Sequence, residues 1–405
     1  MDSYRDVYDA NYLWTEAPAV GAGELAAEAD TVLADRHHRR VVVHDGPSGL
    51  AGEFEELGYD LSTHLVLVHS RDPDRLVDAS AVREVALDDL AAAHAEATLA
   101  EPWGDAEIAA QLAGARRLVA AAVPTRFFGA YVGGRVAGWC EVYTDAGVAQ
   151  IENVEVVAQF RGRGLGRALV QHALEQARAV ADVVFLDALA DDWPRELYRK
   201  LGFVTVDRLD QYTRLPHPLT RLRLRTPQLE LRLPTSAELQ RLYAVAAAGI
   251  HDPAAMPFEV PWTDSLNEAD FLAYHRERHE LAVFLDGEPI GVQGLGVHLP
   301  SVHTGSWLGR AYQGRGLGTE MRAAVLTLAF QHLGAEVAYS GAAADNEQSL
   351  GVSRKLGYAV VGSRTFAPRG EPVEHTDLEL RREDFRSPVP VDVHAPRDLV
   401  KLFSG

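Results

Sequence analysis

The fold is decided by the stretch QFRGRGLGRALVQHAL at residues 159–174, which has a near copy, YQGRGLGTEMRAAVL, at residues 312–326. In both copies a glycine-rich loop follows an apolar strand pattern and opens an amphipathic helix pattern. Alternating glycines allow a ligand to come close to the backbone, and the free N–H groups at the start of a helix attract a pyrophosphate. The sequence thus predicts two anion-binding loops, and a tight turn without a ligand is the alternative for each.

A dinucleotide-binding loop of the G-x-G-x-x-G type is the nearest rival interpretation. The third glycine of that pattern is replaced by Arg167 in the first copy and by Thr319 in the second. Asp187, an acidic residue about 20 residues downstream, is the one feature in favour of it. The glycine missing from both copies weighs more than this one acidic residue.

A helix pattern that ends in Leu-Gly-aromatic and leads into a strand occurs three times, at residues 52–68, 195–215 and 351–368. Glycine at this place is typical of a helix C-terminus. The second and third copies follow a glycine loop, whereas nothing before the strand RVVVHDG of the first copy resembles one. The chain is therefore predicted to contain half a unit followed by two whole units.

Both whole units repeat the same order of local patterns. Each has a hairpin before the loop, turned at Gly133-Gly134 in the first unit and at Asp286-Gly287 in the second. The second unit also carries TSAE, residues 235–238, which is a capping box that opens a helix. These patterns predict strands and helices in alternation, with a boundary near the proline- and arginine-rich residues 214–227.

These motifs resemble those of the GNAT superfamily of N-acyltransferases. Residues 161–166 and 313–318 match its [Q/R]-x-x-G-x-[G/A] acetyl-CoA motif. The first unit is similar to the general branch, and the second is similar to the RimJ/RimL branch, whose N-x-x-S pattern Asn346 and Ser349 match. The resemblance implies the α/β (α+β) class: tandem GNAT folds with mixed, splayed β-sheets flanked by helices, and an N-terminal half-GNAT segment.

The resemblance also implies a domain layout. Residues 1–75 are expected to form a degenerate half-GNAT segment with a structural role, and residues 76–217 the first GNAT domain. Residues 226–382 are expected to form the second, RimJ/RimL-like domain, and residues 383–405 a C-terminal tail. The N-terminal segment has too few elements to close a core, so we expect it to dock on a neighbouring unit and complete a sheet.

Acetyl-CoA is the cosubstrate that the resemblance implies, with its pantetheine beside the strand before each loop. The implied contacts in the first unit are Val154, Val156, Arg161, Gly162, Arg163, Gly164, Leu165, Gly166 and Arg167. In the second unit they are Leu308, Gln313, Gly314, Arg315, Gly316, Leu317, Gly318 and Asn346. Three arginines in the first loop against Arg315 alone in the second favour tighter binding by the first.

Transfer to an amine requires a group that takes the proton of the nitrogen and an acid that helps the thiolate leave. Counting back four residues from the glycine of each Leu-Gly-aromatic motif gives Phe54, Tyr198 and Ser353. GNAT enzymes commonly keep the tyrosine that protonates the sulfur at this position, so Tyr198 is the implied acid. Phe54 can donate nothing, which indicates that the half unit is not catalytic.

The strand IENVEVV of the first unit supplies two candidate bases, Glu152 and Glu155, of which we select Glu152. Two solvated edge carboxylates are the alternative interpretation. The second unit offers Ser349 as the acid and no clear base, with His303 and Glu259 as possibilities. Its loop HDPAAMPFEVPWTD, residues 251–264, is either an acceptor contact or simple packing.

Composition narrows the partners. A formal charge of −19 over 405 residues argues against a nucleic-acid surface and is compatible with a cationic amine. No stretch approaches the ~20 apolar residues of a membrane span, and the N-terminus lacks a signal-peptide pattern, so we expect a cytoplasmic protein without membrane contact. The single cysteine, Cys140, lies in an apolar run typical of a buried thiol. The histidines of DRHHRR, residues 35–40, are typical of a solvated helix end, so no metal is expected.

The sequence therefore predicts an acetyl-CoA-dependent N-acetyltransferase that acts on a primary amine of a small molecule or peptide. One alternative is a tandem scaffold in which one unit, or neither, is catalytic. Another takes the acyl group from an aminoacyl-tRNA, and the acidic charge balance speaks against it.

Overall fold

The computed structural model describes residues 7–16, 20–101, 103–192, 194–278, 280–396 and 399–402. The chain divides into two compact units, Met1–Leu215 and Pro216–Gly405. Within each unit the described strands form one nine-stranded mixed sheet flanked by helices. This architecture confirms the predicted fold class. None of the described helices has the length and apolar character of a membrane span.

The first unit contains nine described strands and six described helices. The strands are β1 Leu13–Glu16, β2 Arg39–His44, β3 Asp60–His69, β4 Val82–Val85, β5 Thr125–Val132, β6 Arg135–Asp145, β7 Val148–Val156, β8 Val183–Leu189 and β9 Phe203–Arg214. The helices are α1 Ala22–Val32, α2 Leu50–Glu56, α3 Leu87–Ala100, α4 Ala106–Ala122, α5 Leu165–Arg178 and α6 Pro194–Lys200. The hairpin of β5 and β6 turns at Gly133 and Gly134, with φ of 57° and 80°, as predicted.

The strand order of the first sheet is β1-β2-β9-β3-β8-β7-β6-β5-β4. The pairs β1 with β2 and β7 with β8 are parallel, and the other pairs are antiparallel. Helix α5 buries Leu169, Val170 and Ala173 completely against this sheet. Removing a leucine-sized side chain from water contributes roughly 1.5–3 kcal/mol, so this face fixes the start of α5 relative to β7.

The second unit repeats the arrangement. Its strands are β10 Arg223–Arg225, β11 Leu229–Arg232, β12 Leu281–Leu285, β13 Glu288–His298, β14 Ser301–Leu308, β15 Val337–Ala343, β16 Ala359–Phe366, β17 Val373–Arg381 and β18 Asp392–His394. Its helices are α7 Ser236–Ala247, α8 Glu268–Arg278, α9 Leu317–Thr327, α10 Glu347–Leu356 and α11 Leu399–Leu402, and α9 continues as a π-helical turn, Leu328–His332. The sheet order is β16-β17-β15-β14-β13-β12-β11-β10-β18.

Two local predictions for the second unit are confirmed. The Thr235 hydroxyl accepts from the Glu238 N–H at 3.3 Å, and the Glu238 carboxylate accepts from the Thr235 N–H at 2.9 Å, which is the predicted capping box of α7. The hairpin of β12 and β13 turns at Asp286 and Gly287, both with positive φ. Consecutive residues therefore determine these two features.

The N-terminal segment contributes β1 and β2 at one end of the first sheet and β3 in its middle. In the second unit β17 lies between β15 and β16. The equivalent place in the first unit, between β8 and β9, is filled by β3 of the N-terminal segment. In return β9 lies between β2 and β3. The N-terminal segment and the rest of the first unit therefore exchange strands. Leu67 of β3, which is 2 % exposed, packs into the same core cluster as Leu186 and Phe203.

Each sheet opens at one parallel pair. The ladder of β7 and β8 ends at Ile151 and Leu186, although both strands continue beyond these residues. The ladder of β14 and β15 ends in the same way at His303 and Tyr339. The strands therefore part, and each opening leads to the glycine loop that follows β7 or β14.

Candidate functional site

Both glycine loops are built to leave the start of a helix open. Gly162 and Gly164 have φ of 77° and 80°, and Gly314 and Gly316 have φ of 73° and 85°, values that favour glycine. A Cβ atom placed on any of the four would meet no atom within 4 Å. Neither α5 nor α9 has a side-chain hydrogen bond at its N-cap. The N–H groups of Leu165 and Gly166 in α5, and of Leu317 and Gly318 in α9, are thus available to a ligand, whereas the Thr319 N–H donates to the Gly316 carbonyl at 3.0 Å. This arrangement fits the pyrophosphate of a nucleotide cofactor.

The first residue of each loop motif holds the loop against its own strand. Arg161 donates from Nε to the carbonyl of Val156 at 3.0 Å. Gln313 donates from Nε2 to the carbonyl of Leu308 at 2.8 Å and to that of Ile250 at 2.6 Å. These side chains therefore fix the shape of the loops, and the groups of the loops that can bind a ligand are chiefly backbone N–H groups.

The other predicted contacts of the loops divide into two kinds. Leu165 and Leu317 are buried in the cores, so of these residues only the backbone N–H groups are placed to meet a ligand. Arg163 and Arg315 are exposed at the surface of the loops. Val154 and Val156 are half-buried at the end of β7.

Arg167 differs from its predicted role. Its side chain is 7 % exposed, and it donates to Asp74 at 2.7 Å and to the carbonyl of Arg75 at 3.2 Å. The carboxylate of Asp74 balances its charge, so Arg167 ties the segment before β4 to α5 and leaves little charge for a cofactor. The first loop therefore offers the charges of Arg161 and Arg163.

The N-terminal segment contains a related arrangement that the sequence analysis missed. Helix α1 begins at Ala22 shortly after β1, between Gly21 and Gly23, and residues 17–19 of this connection lie outside the described residues. Here the Ala22 N–H donates to the Glu53 carboxylate at 2.9 Å, and a Cβ atom on Gly21 would lie 2.8 Å from that carboxylate. The Glu53 carboxylate, which extends from α2 to the start of α1, thus occupies the place that the anionic group of a ligand would take.

Glu152 lies on β7 where that strand leaves β8. Asn153, with φ of 51°, marks a bulge at which β7 and β6 change register. Burial raises the pKa of Glu152 to about 7, the Asp187 carboxylate also raises it, and a hydrogen bond from Gln150 opposes both. The pKa of the half-buried Glu155 is raised by burial as well. A carboxyl group that titrates near neutral pH can accept a proton from an amine and release it again.

Tyr198 projects from α6 into the same region. It is 7 % exposed, and burial followed by the negative charge of Glu152 raises the pKa of its hydroxyl to about 12. Asp187 also contributes to this increase, so the three side chains share one electrostatic environment. The hydroxyl stays protonated at neutral pH, which is the form that can donate to a leaving group.

His64 is a neighbour of this group that sequence analysis did not identify. It lies on β3, and its Nδ1 is 2.6 Å from the carboxylate of Asp187 on β8. Both side chains are partly exposed. Nothing in the sequence near His64 indicates this contact, because it arises from the pairing of β3 with β8.

The opening in the second unit is a cleft of about 1540 Å³. Its lining includes Gly314, Gly316, Gly318, Asn346, Ser349, His303 and residues 250–252 and 254–259, among them Glu259. The side-chain oxygen Oδ1 of Asn346 accepts from the Ser349 N–H at 3.1 Å and thereby caps α10. Part of the predicted acceptor loop, residues 251–264, therefore lines the cleft together with the predicted cofactor loop.

Two further residues of the second cleft were missed by the sequence analysis. Arg322 of α9 is 4 % exposed and donates to the hydroxyls of three serines. His375 of β17 is 4 % exposed, with Nδ1 3.8 Å from the Glu259 carboxylate, and burial lowers the pKa of its imidazole. The opposing charge of Glu259 only partly offsets that effect.

Cys140 is buried completely, and burial raises the pKa of its thiol. This agrees with the expected core thiol. The residue packs in the core of the first unit.

Comparisons with known proteins agree on one family. A model described as Acetyltransferase (GNAT) family matches residues 87–203, and one described as Acetyltransferase (GNAT) domain matches residues 228–359. Together they cover more than half of the chain.

Solved structures of acetyltransferases are similar to parts of the chain. A GNAT-family acetyltransferase from Bacillus anthracis is 13% identical over 40% of this chain and 99% of that one, with a TM-score of 0.35. RimL, a ribosomal L7/L12 alpha-N-protein acetyltransferase in complex with coenzyme A, is 15% identical over 38% and 95%, with a TM-score of 0.35. The acetyltransferase yncA from Salmonella typhimurium with acetyl-CoA is 19% identical over 40% and 98%, with a TM-score of 0.32. On the two family matches, the chain belongs to the GNAT acetyltransferases and carries two GNAT domains in tandem.

Proposed function

We propose that the protein transfers an acetyl group from acetyl-CoA to a primary amine of a small molecule or peptide, and that the first GNAT domain catalyses the transfer. The observation that carries this proposal is the pair of Glu152 and Tyr198 at the opening between β7 and β8. The pKa of the Glu152 carboxyl is about 7 and the pKa of the Tyr198 hydroxyl is about 12. At neutral pH the tyrosine is therefore protonated. We retain the predicted layout of half segment, first domain, second domain and tail as part of the proposal.

The residues fit the cofactor on two grounds. The glycine loops provide open helix starts without a capping side chain. The arginines 161 and 163 add positive charge beside the first loop. The thioester, when bound, supplies an acetyl group that is activated for attack.

The transfer then needs one proton to move from nitrogen to sulfur. A bond forms between the amine nitrogen and the acetyl carbon, and the bond between that carbon and the sulfur breaks. Glu152 accepts the proton that leaves the nitrogen, and Tyr198 donates the proton that the sulfur acquires. Solvent returns both side chains to their starting states.

The first prediction concerns pH. Since Glu152 must be ionised to accept a proton, kcat/KM is expected to fall about tenfold per pH unit below a midpoint near its pKa of about 7. Glu152→Gln is expected to remove the inflection near pH 7 and to leave a low rate whose remaining pH dependence is that of the protonation of the amine substrate. Initial rates of thiol release over a pH series measure both. An unchanged acid limb in Glu152→Gln would exclude Glu152 as the base.

The second prediction concerns stoichiometry. Calorimetry is expected to find two acetyl-CoA molecules per chain, the first loop binding more tightly. Gly166 and Gly318 provide a matched pair of variants, because neither has positive φ. A Cβ on Gly166 would lie 3.7 Å from Val156, and one on Gly318 would lie 3.4 Å from Val352. Leucine at either position is expected to weaken one of the two binding events about 10-fold or more by filling the space beside the loop.

The titration separates the two loops. Gly166→Leu should remove the tighter event and Gly318→Leu the weaker one. A single binding event in the wild type that Gly166→Leu leaves intact would contradict the assignment of a cofactor site to the first domain.

Catalysis in the second domain is the competing candidate, and the cleft of about 1540 Å³ favours it. This cleft is lined by the loop glycines, Asn346, Ser349 and residues 250–252 and 254–259. Ser349 would then be the acid, and the buried His375 or Glu259 would accept the proton. A full-rate Tyr198→Phe beside an inactive Ser349→Ala would place the reaction in this domain.

A further inference from the structure

Arg322 is a buried cation in the floor of the second cleft. It projects from α9, is 4 % exposed and lines the cleft. Its Nη1 donates to the hydroxyl of Ser353 at 3.1 Å and to that of Ser340 at 3.4 Å, and its Nη2 donates to the hydroxyl of Ser306 at 3.0 Å. Its buried Nε has no hydrogen-bond partner among the residues that the structure describes. Neutral hydroxyls thus accept three of the five N–H donors of the guanidinium, and the Nε donor is among those left unused.

No carboxylate among the described residues lies within 4 Å of Arg322. The other five buried arginines of the described part each have one within that distance: Arg36, Arg39, Arg167, Arg223 and Arg232. Burying a charge without a counter-charge is costly in free energy. Burial also opposes the charged state of Arg322 by lowering its pKa, but an arginine stays protonated in proteins. The missing counter-charge therefore indicates that an anion enters the cleft and reaches this side chain.

Arg322 lies at the opening of the second sheet, at the place that corresponds to the site of Tyr198 in the first domain. Ser306 and Ser340 belong to β14 and β15 beyond the end of their ladder, so the guanidinium lies at the opening between these strands. Ser353 stands four residues before the terminal glycine of α10, as Tyr198 does in α6. Arg322 is the sixth residue of α9, and the sixth residue of α5 is the fully buried Val170.

The two domains thus place a polar group at the same opening from different helices. In the first domain Tyr198 of α6 and Val170 of α5 belong to the same core cluster. In the second a serine of α10 packs beside an arginine of α9. Both domains thus combine one large polar side chain with one small side chain at the opening. Where the first domain has the neutral hydroxyl of Tyr198, the second has the fixed positive charge of Arg322.

We propose that Arg322 holds the sulfur of coenzyme A as the thiolate in the second cleft. Arginine does not give up its proton at physiological pH, so it stabilises the thiolate by charge and by hydrogen bonds from its guanidinium. The proton that the sulfur finally acquires comes from solvent. Ser349 is then not required as an acid. The inference rests on the proposed function in one respect, the entry of the cofactor into the second cleft.

The test compares coenzyme A with desulfo-coenzyme A, which lacks the sulfur, on the full-length Gly166→Leu variant. Because Gly166→Leu is expected to remove binding at the first loop, calorimetry on this variant measures binding in the second cleft. Above the ordinary thiol pKa of about 8.5, coenzyme A is expected to bind about 10-fold more tightly than the desulfo compound. Arg322→Met is expected to bind the two compounds equally.

A second readout follows the thiolate directly. Ultraviolet difference absorption of bound coenzyme A is expected to show thiolate at a pH at least about 1 unit lower than for free coenzyme A. Arg322→Gln keeps hydrogen-bonding atoms beside the serines but removes the charge, so the bound thiol should titrate like the free one. Arg354→Met is the matched control, because it removes an exposed arginine of α10 that pairs with Glu347 and lies outside the cleft lining. That control should bind both compounds as its parent does.

Stability separates this role from a structural one. Since the free protein carries an uncompensated buried charge at Arg322, Arg322→Met is expected to unfold at a Tm no lower than that of its parent. A lower Tm together with an unchanged thiolate titration in Arg322→Gln would show a structural cross-link and overturn the inference.

The two proposals fail in different ways. Equal binding of both compounds by the Gly166→Leu parent would overturn the thiolate inference alone. Absence of binding by either compound would overturn the proposed cofactor site of the second domain and the inference with it.

Discussion

Replacement of Tyr198 by phenylalanine is expected to lower kcat by ~10²-fold or more, which is the typical contribution of a positioned general acid. Affinity for acetyl-CoA should stay near that of the wild type, because phenylalanine keeps the ring that packs beside Phe203 at a centroid distance of 6.2 Å. The loss would then fall on kcat and kcat/KM alike, the signature of an interaction made in the transition state. Steady-state rates with one accepted amine, together with calorimetry of the cofactor, measure both quantities.

Ser349→Ala is the matched comparison in the second domain. It removes a hydroxyl that lines the cleft there, while the Ser349 backbone N–H that Asn346 accepts from is unchanged. If the first domain carries the reaction, the rate of Ser349→Ala should stay close to that of the wild type. The reverse pattern, a slow Ser349→Ala and a normal Tyr198→Phe, would move the catalytic site to the second domain.

The stability of Glu152→Gln provides an independent check on the same site. A raised pKa in the folded state means that the neutral acid is favoured there. The stabilising contribution is complete below the unfolded value of 4.5 and is lost as pH rises through about 7. Above neutral pH the glutamine variant should therefore be at least as stable as the wild type while being slower. Thermal unfolding on either side of neutral pH measures the difference.

Deletion of residues 1–75 is expected to abolish folding of the first unit. This deletion removes β3, which pairs with β8 on one side and with β9 on the other. It would expose two unpaired strand edges and the buried side chains of Leu186 and Phe203. It would also remove Asp74 and leave Arg167 buried without its carboxylate. We expect an aggregated product in size-exclusion chromatography and no thermal transition for the first unit. A monodisperse protein with the heat stability of the full chain would contradict the strand exchange.

Two point variants on β3 refine this test. Leu67→Ala removes a side chain that is 2 % exposed and is expected to cost about 2–5 kcal/mol of unfolding free energy. Leu61→Ala, on the same strand, removes one that is 46 % exposed and is expected to cost less than about 1 kcal/mol. Similar losses in the two variants would show that β3 does not contribute to the core through its buried face.

The sequence by itself determined the features that consecutive residues encode. Glycines at 162, 164, 314 and 316 adopt the left-handed backbone that their spacing requires, and α5 and α9 begin directly after them. The capping box of α7 and the two glycine hairpins follow in the same way from local hydrogen bonding and backbone sterics. The repeat of these patterns indicated two GNAT domains.

Tertiary structure alone decided which distant groups meet. Asp74 reaches Arg167 across 93 residues and neutralises a charge that the sequence assigned to the cofactor, and Glu53 reaches the Ala22 N–H across 31 residues. The insertion of β3 beside β8 brings His64 to Asp187, although any strand of suitable pattern could in principle pair there. Arg322 is the clearest case, because the absence of a carboxylate within 4 Å of it among the described residues depends on every segment packed around it. Periodicity specifies which face of an element is buried, whereas the partner of a buried charge depends on chain segments that come together only in the folded protein.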